Sequence, residues 1–467
     1  MKSLRVICFI LIVTLILSLS LMASGNPGQT LYMIEKSYLM ADTNPYFIGD
    51  DYALVIKDDV PSGVAYAAIL PDQPGDYYIM MVKSSDDLKP LEDSVPYVVI
   101  SNDAIFRTDF EGAKLLPLYG WGLTRITVPI RYGEMVPAPG PPLITEFDPD
   151  IANMISSITA QTCEDLLLDI SGFPTRYSYT AYCRDAEQYA YDYYSALGLS
   201  VSYFDFNLGG TDMRNVIGEM IGTTRPDSII IICAHLDCTS EDPDNNSPGA
   251  EDNGTGSVAV MEAARILSQY QTDLTIRFIS FTGEEQGLVG SDYYAQHMLD
   301  IGEDLAAVIN LDMVAYTGPF PRDMHFFSDP QSHWLGEIAA EVMGTYTSSD
   351  TVTHYQGTPR YGSDHYSFAI RGYPAIQLID AYPHVGEDWH PYYHTTNDII
   401  DHLEMDLMAE VAQTGTATAA IIARVDFGTQ EIPTISEWGM MIMGLLLLGV
   451  GTATVIRRRR ISIVNED

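Results

Sequence analysis

The sequence predicts an α/β protein: a three-layer α/β/α sandwich around a mixed, mainly parallel sheet, preceded by a smaller β-rich domain. From about residue 146 to residue 427, predicted helices alternate with continuously apolar strands, which is typical of a sheet covered by helices. From about residue 26 to residue 145, short apolar and aromatic runs are separated by Gly, Pro and Asp turns, which is typical of β-strands. The 467 residues suffice for both domains and for a short segment at either end.

The β-rich domain, residues 26–145, carries no catalytic constellation that we can identify. Its clearest predicted strands cover residues 77–82 and 97–100. The Pro-rich stretch at residues 136–142 is typical of a linker, so a domain boundary is expected near residue 145. A pro-region, a folding aid and a binding module all fit this domain, and the sequence does not choose among them.

The α/β domain, residues 146–427, contains apolar strands of the length that a covered sheet requires. The predicted strands cover residues 228–233, 275–281, 306–311 and 374–379. The clearest predicted helices cover residues 186–197 and 253–270. Strands interleaved with helices in this way favour a sheet between two helical layers.

The composition limits the possible partners. Hydrophobic residues make up 46% of the chain, which is enough for a large core. The 24 basic and 63 acidic residues give a formal net charge of −39. This balance argues against a nucleic-acid partner, because the phosphate backbone attracts basic surfaces. A solvated acidic surface explains most of the carboxylates, and cation binding is their other use.

The N-terminus indicates export. Lys2 and Arg5 precede an apolar run at residues 6–22, and small residues follow at 23–25. This is the layout of a secretory signal peptide, which we assign to residues 1–25. An uncleaved membrane anchor is the alternative interpretation of the same run.

The C-terminal segment, residues 428–467, indicates attachment to the cell envelope. Residues 438–456 carry no charge and are long enough to cross a bilayer, and four arginines follow at 457–460. The positive-inside rule places these arginines in the cytoplasm and the main body outside, whereas a buried core helix is the alternative. The preceding Ile-Pro-Thr-Ile-Ser-Glu-Trp-Gly at residues 432–439 resembles the Ile-Pro-Thr-Leu type of envelope sorting signal. The resemblance implies an exosortase-like processing enzyme as a partner, and a protein that is membrane-anchored or surface-released after processing.

The chain has five cysteines, one of which lies in the signal segment. Export favours a disulfide between Cys163 and Cys183, which flank a segment expected at the surface. Cys233 and Cys238 bracket His235 near a strand end, but they lack the second cysteine pair of a structural zinc site. We therefore interpret these two as packing residues.

Metal-competent residues follow four of the predicted strands. His235 and Asp237 follow the first, Glu284 and Glu285 follow the second, Asp312 closes the third, and His394 lies on the loop region after the fourth. Ligands of α/β sheets bind beyond the carboxyl ends of the strands, so these side chains are expected at one rim. Imidazoles and carboxylates are the zinc ligands of catalytic sites, so the pattern indicates a metal centre.

A centre with two metal ions needs a carboxylate that bridges them. Asp252 is the candidate, within the stretch Pro-Gly-Ala-Glu-Asp-Asn-Gly-Thr-Gly at residues 248–256, where a helix is expected to begin. An ordinary N-cap turn is the alternative, and it would be the favoured interpretation if this stretch stood alone.

Six short motifs occur along the α/β domain. They are Ala-His-Leu-Asp at 234–237, Gly-Ala-Glu-Asp-Asn at 249–253, Thr-Gly-Glu-Glu-Gln-Gly-Leu-Val-Gly-Ser at 282–291, Asn-Leu-Asp-Met at 310–313, Ser-Asp-His at 363–365 and His-Thr-Thr-Asn-Asp at 394–398. In this order they resemble the motifs of the bacterial leucyl aminopeptidase group of co-catalytic zinc exopeptidases, metallopeptidase clan MH. The resemblance runs from about residue 150 to residue 425. It implies a mixed sheet sandwiched by helices, in agreement with the strand and helix pattern.

The resemblance also implies a metal ligand at each matching position. Asp252 would bridge two zinc ions. His235 and Asp312 would complete one zinc site, and Glu285 and His394 would complete the other.

The same resemblance implies that Glu284 is the general base and that Asp237 holds the free N–H of the His235 imidazole. The chemistry is consistent without the family. Two zinc ions lower the pKa of a shared water toward neutrality and polarise the scissile carbonyl. Glu284 can then accept the water proton and pass it to the leaving amine.

One departure from the group concerns the oxyanion. In the group, a tyrosine between two bonded cysteines, shortly before Ser-Asp-His, helps to bind it. Here those cysteines are absent, Tyr361 is displaced by one position, and Arg360 stands in its place. Either Tyr361 or Arg360 is therefore our candidate for that role. His390 is an alternative ligand close to His394, although the motif favours His394, and we interpret His365 as a supporting residue.

The sequence thus predicts an exported zinc aminopeptidase that hydrolyses peptide bonds at free N-termini. A related carboxypeptidase or other amide hydrolase on the same di-zinc platform is the first alternative. A non-catalytic metal-binding surface protein is the second. The presence of Glu284 argues against the second alternative, because a binding module needs no general base.

Overall fold

The structure, a computed structural model, describes residues 29–40, 43–71, 73–82, 85–91, 94–130, 147–318, 323–348, 351–357, 361–380 and 390–427. It comprises an N-terminal β-region, residues 29–130, and an α/β-region, residues 147–427. The predicted signal peptide, the Pro-rich linker, and the C-terminal sorting motif with its apolar segment and basic tail lie outside the described residues. Within the described ranges, no helix has the length and apolar character needed to cross a membrane.

The N-terminal β-region contains two four-stranded antiparallel sheets. The first is built from β1 (Tyr32–Glu35), β2 (Phe47–Ile48), β3 (Tyr52–Val55) and β4 (Ala67–Ala68), in the order β2-β3-β1-β4. The second is built from β5 (Asp76–Met81), β6 (Tyr97–Ile100), β7 (Asp103–Thr108) and β8 (Trp121–Ile126), in the order β6-β7-β5-β8. A four-residue helix, α1 (Phe110–Ala113), precedes β8. The predicted β-rich character of this region is confirmed.

The α/β-region is organised around an eight-stranded mixed sheet. Its strands are β9 (Ser200–Leu208), β10 (Thr211–Met220), β11 (Arg225–His235), β12 (Leu274–Phe281), β13 (Asp304–Leu311), β14 (Asp323–Ser328), β15 (Thr351–Gln356) and β16 (Ala375–Ile379). Their order is β15-β14-β16-β13-β11-β12-β10-β9. The neighbours β16, β13, β11 and β12 run parallel, and they are the four strands that the sequence predicted. Antiparallel pairing joins β14 to β16 and both β9 and β12 to β10.

Helices pack against both faces of this sheet. They are α2 (Pro149–Ile155), α3 (Ala160–Ile170), α4 (Ala181–Ala196), α5 (Gly256–Leu267), α6 (Val289–Ile301), α7 (His333–Tyr346), α8 (His365–Ala369) and α9 (Met405–Ala423). Side chains alternate between the two faces of a strand. Accordingly, Ile230 and Ile232 of β11 pack in a core with α3, α4, α5, α7 and α9, whereas Ile229 and Ile231 pack in another core with α6 and α8.

Both predicted helices are present with different bounds. The helix predicted at residues 186–197 is α4, which begins at Ala181 because the Thr180 hydroxyl accepts from the N–H of Cys183 at 3.2 Å. The helix predicted from residue 253 is α5, which begins only at Gly256. The reason is that Asp252 and Asn253 have non-helical backbone angles within the turn Ala250–Thr255.

The sequence made a disulfide between Cys163 and Cys183 plausible, but in the structure both residues are buried free thiols. Burial raises the pKa of each thiol, which keeps the reactive thiolate scarce. Cys233 and Cys238 are packing residues, as predicted. Cys233 lies in the core, and the Cys238 thiol donates to the carbonyl oxygen of Ser247 at 3.0 Å.

The two regions share a buried core and direct hydrogen bonds. One cluster contains side chains from both, among them Ile79, Ile105, Leu288, Tyr366 and Ile370. The Thr127 hydroxyl donates to Asp292 Oδ1 at 2.9 Å, and the N–H of Gly362 donates to Thr124 Oγ1 at 3.1 Å. The two backbones meet at Gly122 and Gly362, where a Cβ added to Gly122 would lie 2.6 Å from the Gly362 Cα. The N-terminal β-region is therefore closely packed against the α/β-region.

We expect Gly122→Ala to destabilise the protein more than Gly63→Ala. Both glycines have a positive φ, at +61° and +84°, so each substitution costs about 1–2 kcal/mol of backbone strain. Only Gly122 faces another backbone, since nothing lies within 4 Å of a Cβ added to Gly63. The clash should cost a further ~1–3 kcal/mol. Urea unfolding followed by circular dichroism measures both losses, and equal losses would contradict this account of the interface.

Candidate metal centre

Parallel strands carry the predicted ligands to one rim of the sheet. His235 is the last residue of β11, Glu285 follows β12 after a short turn, and Asp312 follows β13 directly. Because β11 lies between β12 and β13, the carboxyl ends of these strands are adjacent. Asp252 lies in the turn before α5, and His394 comes from the loop that precedes α9. The structure brings all five residues together.

The carboxylate of Asp252 lies between two imidazoles. Its Oδ1 is 3.3 Å from His235 Nε2, and its Oδ2 is 3.1 Å from His394 Nε2. Asp312 Oδ1 lies 3.4 Å from His235 Nε2, and Glu285 Oε2 lies 2.8 Å from His394 Nε2. The five side chains thus form two half-sites that share Asp252.

These spacings and the donor set fit zinc. Around a tetrahedral zinc ion, with ligands at ~2.0–2.2 Å, the ligand atoms lie about 3.3 Å from one another. Four buried atoms of the set, Asp252 Oδ2, Glu285 Oε1, Asp312 Oδ1 and His394 Nε2, have no hydrogen-bond partner among the described residues. A buried polar atom without a partner is costly, and bound cations would satisfy all four.

A second grouping of the side chains, based only on the distances between their ligand atoms, includes Glu284. Two sets of ligand atoms lie within 4.8 Å of one another: His235 with Glu284 and Asp312, and His235 with Asp252 and Glu285. The first set counts Glu284 as a ligand. We favour Glu284 as a neighbour of the half-sites, because its Oε2 is 4.0 Å from His235 Nε2, farther than either Asp252 or Asp312.

A backbone carbonyl orients each histidine. His235 Nδ1 lies 3.0 Å from the carbonyl oxygen of Asp237, and His394 Nδ1 lies 2.5 Å from that of Pro117. A carbonyl can only accept, so each Nδ1 carries a proton, and each Nε2 is left to bind a cation. Pro117 belongs to the N-terminal β-region, which therefore orients one of the candidate ligands.

Asp237 supports the site through a different contact from the one expected. Its carboxylate is 3.9 Å from His235 Nδ1, so the backbone carbonyl and not the carboxylate holds the ring. The carboxylate instead accepts from the Ser178 hydroxyl at 2.7 Å. It also accepts from the N–H groups of Glu284 and Glu285 at 3.3 and 3.4 Å. Asp237 therefore fixes the backbone of the two glutamates.

Asp398 is a supporting residue that the sequence analysis did not identify. Its Oδ1 accepts from the N–H of Glu251 at 2.9 Å, and its Oδ2 accepts from that of Asp252 at 3.0 Å. His390 Nε2 lies 3.2 Å from Asp398 Oδ1, so His390 contacts Asp398 rather than the half-sites. Asp398 ends the last of the six sequence motifs, and that position was the signal that could have identified it.

Arg176 is a second supporting residue, and the sequence carries no motif for it. Its side chain is 0% exposed. The guanidinium donates to the carbonyl oxygens of Leu236 and Gly249 at 2.7 Å each, Pro248 at 2.6 Å and Ile170 at 3.3 Å. These contacts tie the loop after β11 to the turn that carries the shared aspartate.

The centre concentrates negative charge. Burial raises the pKa of Glu284 well above its ordinary value, and the charges of Glu285 and Asp312 raise it further. Burial alone would lower the pKa of His394, but the charges of Glu285 and Asp252 outweigh it and raise that pKa to about 10. Such a cluster favours positive charge in its midst, as a cation site does.

A pocket opens at the centre. It is lined by Met81, Trp121, Gly122, His235, Asp252, Glu284, Asp312, Met313, Phe327, Tyr361, Gly362, Gln377, Ile379 and Tyr393. The hydroxyl of Tyr361 donates to Asp103 Oδ1 of the N-terminal β-region. Arg360 lies outside the described residues. His365 is buried at the start of α8 and does not line this pocket.

Known proteins are similar to this chain in the part that holds the centre. Residues 215–419 match Peptidase family M28. Aminopeptidase YwaD of Bacillus subtilis (strain 168) is 33% identical over 211 residues, which are 44% of this chain and 43% of that protein. A probable leucine aminopeptidase of Trichophyton verrucosum (strain HKI 0517) is 30% identical over 207 residues, 43% of this chain and 54% of that protein. The crystal structure of the LapA aminopeptidase of Legionella pneumophila superposes with a TM-score of 0.59 at 20% identity, covering 74% of this chain and 98% of that one.

These similarities have a defined reach. The chain spans about half the length of the two curated relatives, at 43% and 54% of their residues. The matched residues 215–419 contain all five candidate ligands and Glu284. Residues 215–419 are therefore similar to Peptidase family M28. At 20% identity the structural match shows that the mixed α/β fold is shared with that crystal structure.

We expect Asp398→Asn to weaken zinc binding about 10–100-fold, the usual cost of losing a partner that orients a metal ligand. The asparagine amide would place a donor against the N–H of Glu251 or Asp252, each of which needs an acceptor. Competition with a chromophoric chelator measures the affinity. Asp401→Asn, an exposed neighbour, should bind zinc like the wild type. Equal affinities in the two variants would refute the role of Asp398.

We expect zinc affinity to rise with pH from about 6.5 toward 10. The pKa of His394 is raised from its ordinary value to about 10 in the metal-free protein, so its imidazole is protonated near pH 7. Zinc binds the neutral ring, so binding must release this proton. Calorimetry in buffers of different ionisation enthalpy counts the released protons. His394→Ala should release fewer protons. His297→Asn, at an exposed position of α6, should not change the number of protons released. A pH-independent affinity would contradict the prediction.

Proposed function

We propose that this protein is an aminopeptidase that removes residues from the free N-termini of peptides and uses two zinc ions. The observation that carries the proposal is the Asp252 carboxylate, whose two oxygens lie 3.3 Å from His235 Nε2 and 3.1 Å from His394 Nε2. A carboxylate shared by two half-sites is what two neighbouring ions require. The similarity of residues 215–419 to M28 peptidases supports the same activity.

The two half-sites define which residues would hold each ion. Asp252, His235 and Asp312 would hold one, and Asp252, Glu285 and His394 would hold the other. When bound, the ions supply a water of lowered pKa and polarise the carbonyl of the scissile bond. Tyr361, in the pocket wall, and Arg360 are our candidates for stabilising the oxyanion, and Tyr361 would have to give up its hydrogen bond to Asp103 to do so.

Glu284 is the residue that we assign to proton transfer. Its carboxylate lines the pocket beside the half-sites, with Oε2 4.0 Å from His235 Nε2. From there it accepts the proton of the attacking water at a carboxylate oxygen and passes it to the leaving amine. Burial and neighbouring carboxylates raise its pKa, and the positive charge of bound ions would offset that shift.

The charge of the pocket favours an aminopeptidase over the related carboxypeptidase. Of the described residues that line it, Asp252, Glu284 and Asp312 are acidic and none is a lysine or an arginine. A free α-amino group finds the Glu284 carboxylate there, in addition to the carboxylates that would hold the ions, whereas the described lining offers no lysine or arginine to a free α-carboxylate. A non-catalytic metal-binding protein is the remaining alternative. It would not explain why Glu284 lies beside the half-sites, because such a protein needs no general base.

We extend the proposal to location and architecture. Export by the segment at residues 1–25, and attachment at the cell envelope through residues 428–467 with exosortase-like processing, rest on the charge and apolar pattern of the two ends. We also propose that the chain divides into a β-rich domain, residues 26–145, and an exopeptidase domain, residues 146–427. The α/β-region would be the three-layer sandwich of clan MH, which the packing of helices against both sheet faces supports.

We expect Glu284→Gln to lower kcat about 10²–10⁴-fold while zinc content stays unchanged, because the variant loses the proton acceptor but none of the five ligands. The assay is release of p-nitroaniline from leucine p-nitroanilide, with bound zinc measured on the same samples. Glu164→Gln on the surface of α3 is the matched control and should keep full activity.

Blocked substrates test the rest of the proposal. N-acetylated leucine p-nitroanilide should be a poor substrate, since it lacks the cationic amine. Equal turnover of the blocked and free substrates would sink the role of the acidic pocket. Two bound zinc ions with no release from any free N-terminus would overturn the aminopeptidase, and peptides with only a free C-terminus would then test the carboxypeptidase.

A further inference from the structure

Two apolar side chains of the N-terminal β-region line the pocket of the candidate metal centre. They are Met81, the last residue of β5, and Trp121, the first residue of β8. The two residues pair directly across the antiparallel ladder. Side chains that pair directly lie on the same face of a sheet, so Met81 and Trp121 form one apolar surface.

This surface is fixed in place. Met81 is 3% exposed and lies in the buried cluster that includes Leu288 of the α/β-region, and Trp121 packs against the same cluster. The carbonyl of Pro117, four residues before Trp121, accepts the hydrogen bond from His394 Nδ1 at 2.5 Å. The N-terminal β-region cannot move away without exposing this core and releasing a candidate zinc ligand.

The rest of the pocket divides into a charged part and an apolar part. The charged part is the metal centre and Glu284. The apolar part consists of Met313, Phe327, Ile379 and Tyr393, together with Met81 and Trp121. A peptide N-terminus presents a cationic amine and a scissile carbonyl to the charged part, so its first side chain is left to the apolar part.

We propose that Trp121 and Met81, which lie outside the residues that match Peptidase family M28, are specificity-determining residues that contact the first side chain of the peptide. The inference rests on the proposed function and adds the N-terminal β-region to it. This region then forms a wall of the active site. Of the three roles that its sequence allowed, this one corresponds to the binding module.

The test compares two substrates in four zinc-loaded proteins: the wild type, Trp121→Ala, Trp121→Phe and Tyr66→Ala. Tyr66 is a matched control, an aromatic residue of the same region that is 50% exposed and does not line the pocket. The measured quantity is the ratio of kcat/KM for leucine p-nitroanilide to kcat/KM for glycine p-nitroanilide. We expect Trp121→Ala to lower this ratio about 10-fold, mainly through a higher KM for leucine p-nitroanilide. Trp121→Phe should keep most of the ratio, and Tyr66→Ala should keep all of it.

A purely structural role for Trp121 would lower activity on both substrates equally, so the ratio separates the two cases. Calorimetric binding of leucinol and of ethanolamine makes the same comparison without turnover. An unchanged ratio in folded Trp121→Ala would overturn the inference. If circular dichroism shows that Trp121→Ala is unfolded, Trp121→Leu decides, and its ratio must still fall. A wild type that releases neither substrate would overturn the proposed function itself.

Discussion

Four carboxylates and two imidazoles share one buried rim of the sheet, and the repulsion among those carboxylates is the constraint on which the surrounding structure depends. Like charges a few ångströms apart in a low-dielectric interior cannot all ionise without compensation. The compensation is visible at Asp252, where burial would raise the pKa but the adjacent imidazoles of His235 and His394 outweigh it and hold the pKa below its ordinary value. The same need for positive charge makes the rim suitable for cations.

The surrounding residues hold the segments that carry the candidate ligands through hydrogen bonds to their backbone. Asp237 and Asp398 do not face the half-sites, because both carboxylates accept N–H groups of the segments that carry the ligands. Arg176 performs the complementary task, since its buried guanidinium donates to four backbone carbonyls around the same loops. Met313 and His394 have positive φ values of 55° and 56°, which non-glycine residues adopt only when the surroundings hold them there. These contacts of the fold thus hold the segments that carry the candidate ligands.

The centre is also shared between the two regions of the chain. The α/β-region provides every candidate ligand, but the acceptor for His394 Nδ1 and part of the apolar pocket wall come from the N-terminal β-region. Tyr361 belongs to the α/β-region, and its hydroxyl donates to Asp103 of the other region. The α/β-region alone therefore provides the candidate ligands, but the orientation of His394 and the wall of the pocket require both regions.

The sequence alone determined the mixed α/β fold and the group of ligand candidates. Buried parallel strands read as continuous apolar runs, and residues just after such runs must lie at one rim. Through motif order it also predicted that Asp252 belongs with His394, which lies more than a hundred positions further along the chain. It missed the start of α5, because the turn at Asp252 and Asn253 is held by contacts from distant residues. It left open whether Cys163 and Cys183 are bonded, because burial of a thiol depends on helix packing and not on spacing. Only the tertiary structure decided that the carbonyl of Asp237 holds His235, and that Pro117, Met81 and Trp121 reach the centre. Every residue has a backbone carbonyl, so no residue type marks the carbonyls that hold the two histidines. The contact between the two regions joins segments that are far apart in the chain, and the pattern of one segment does not predict the other.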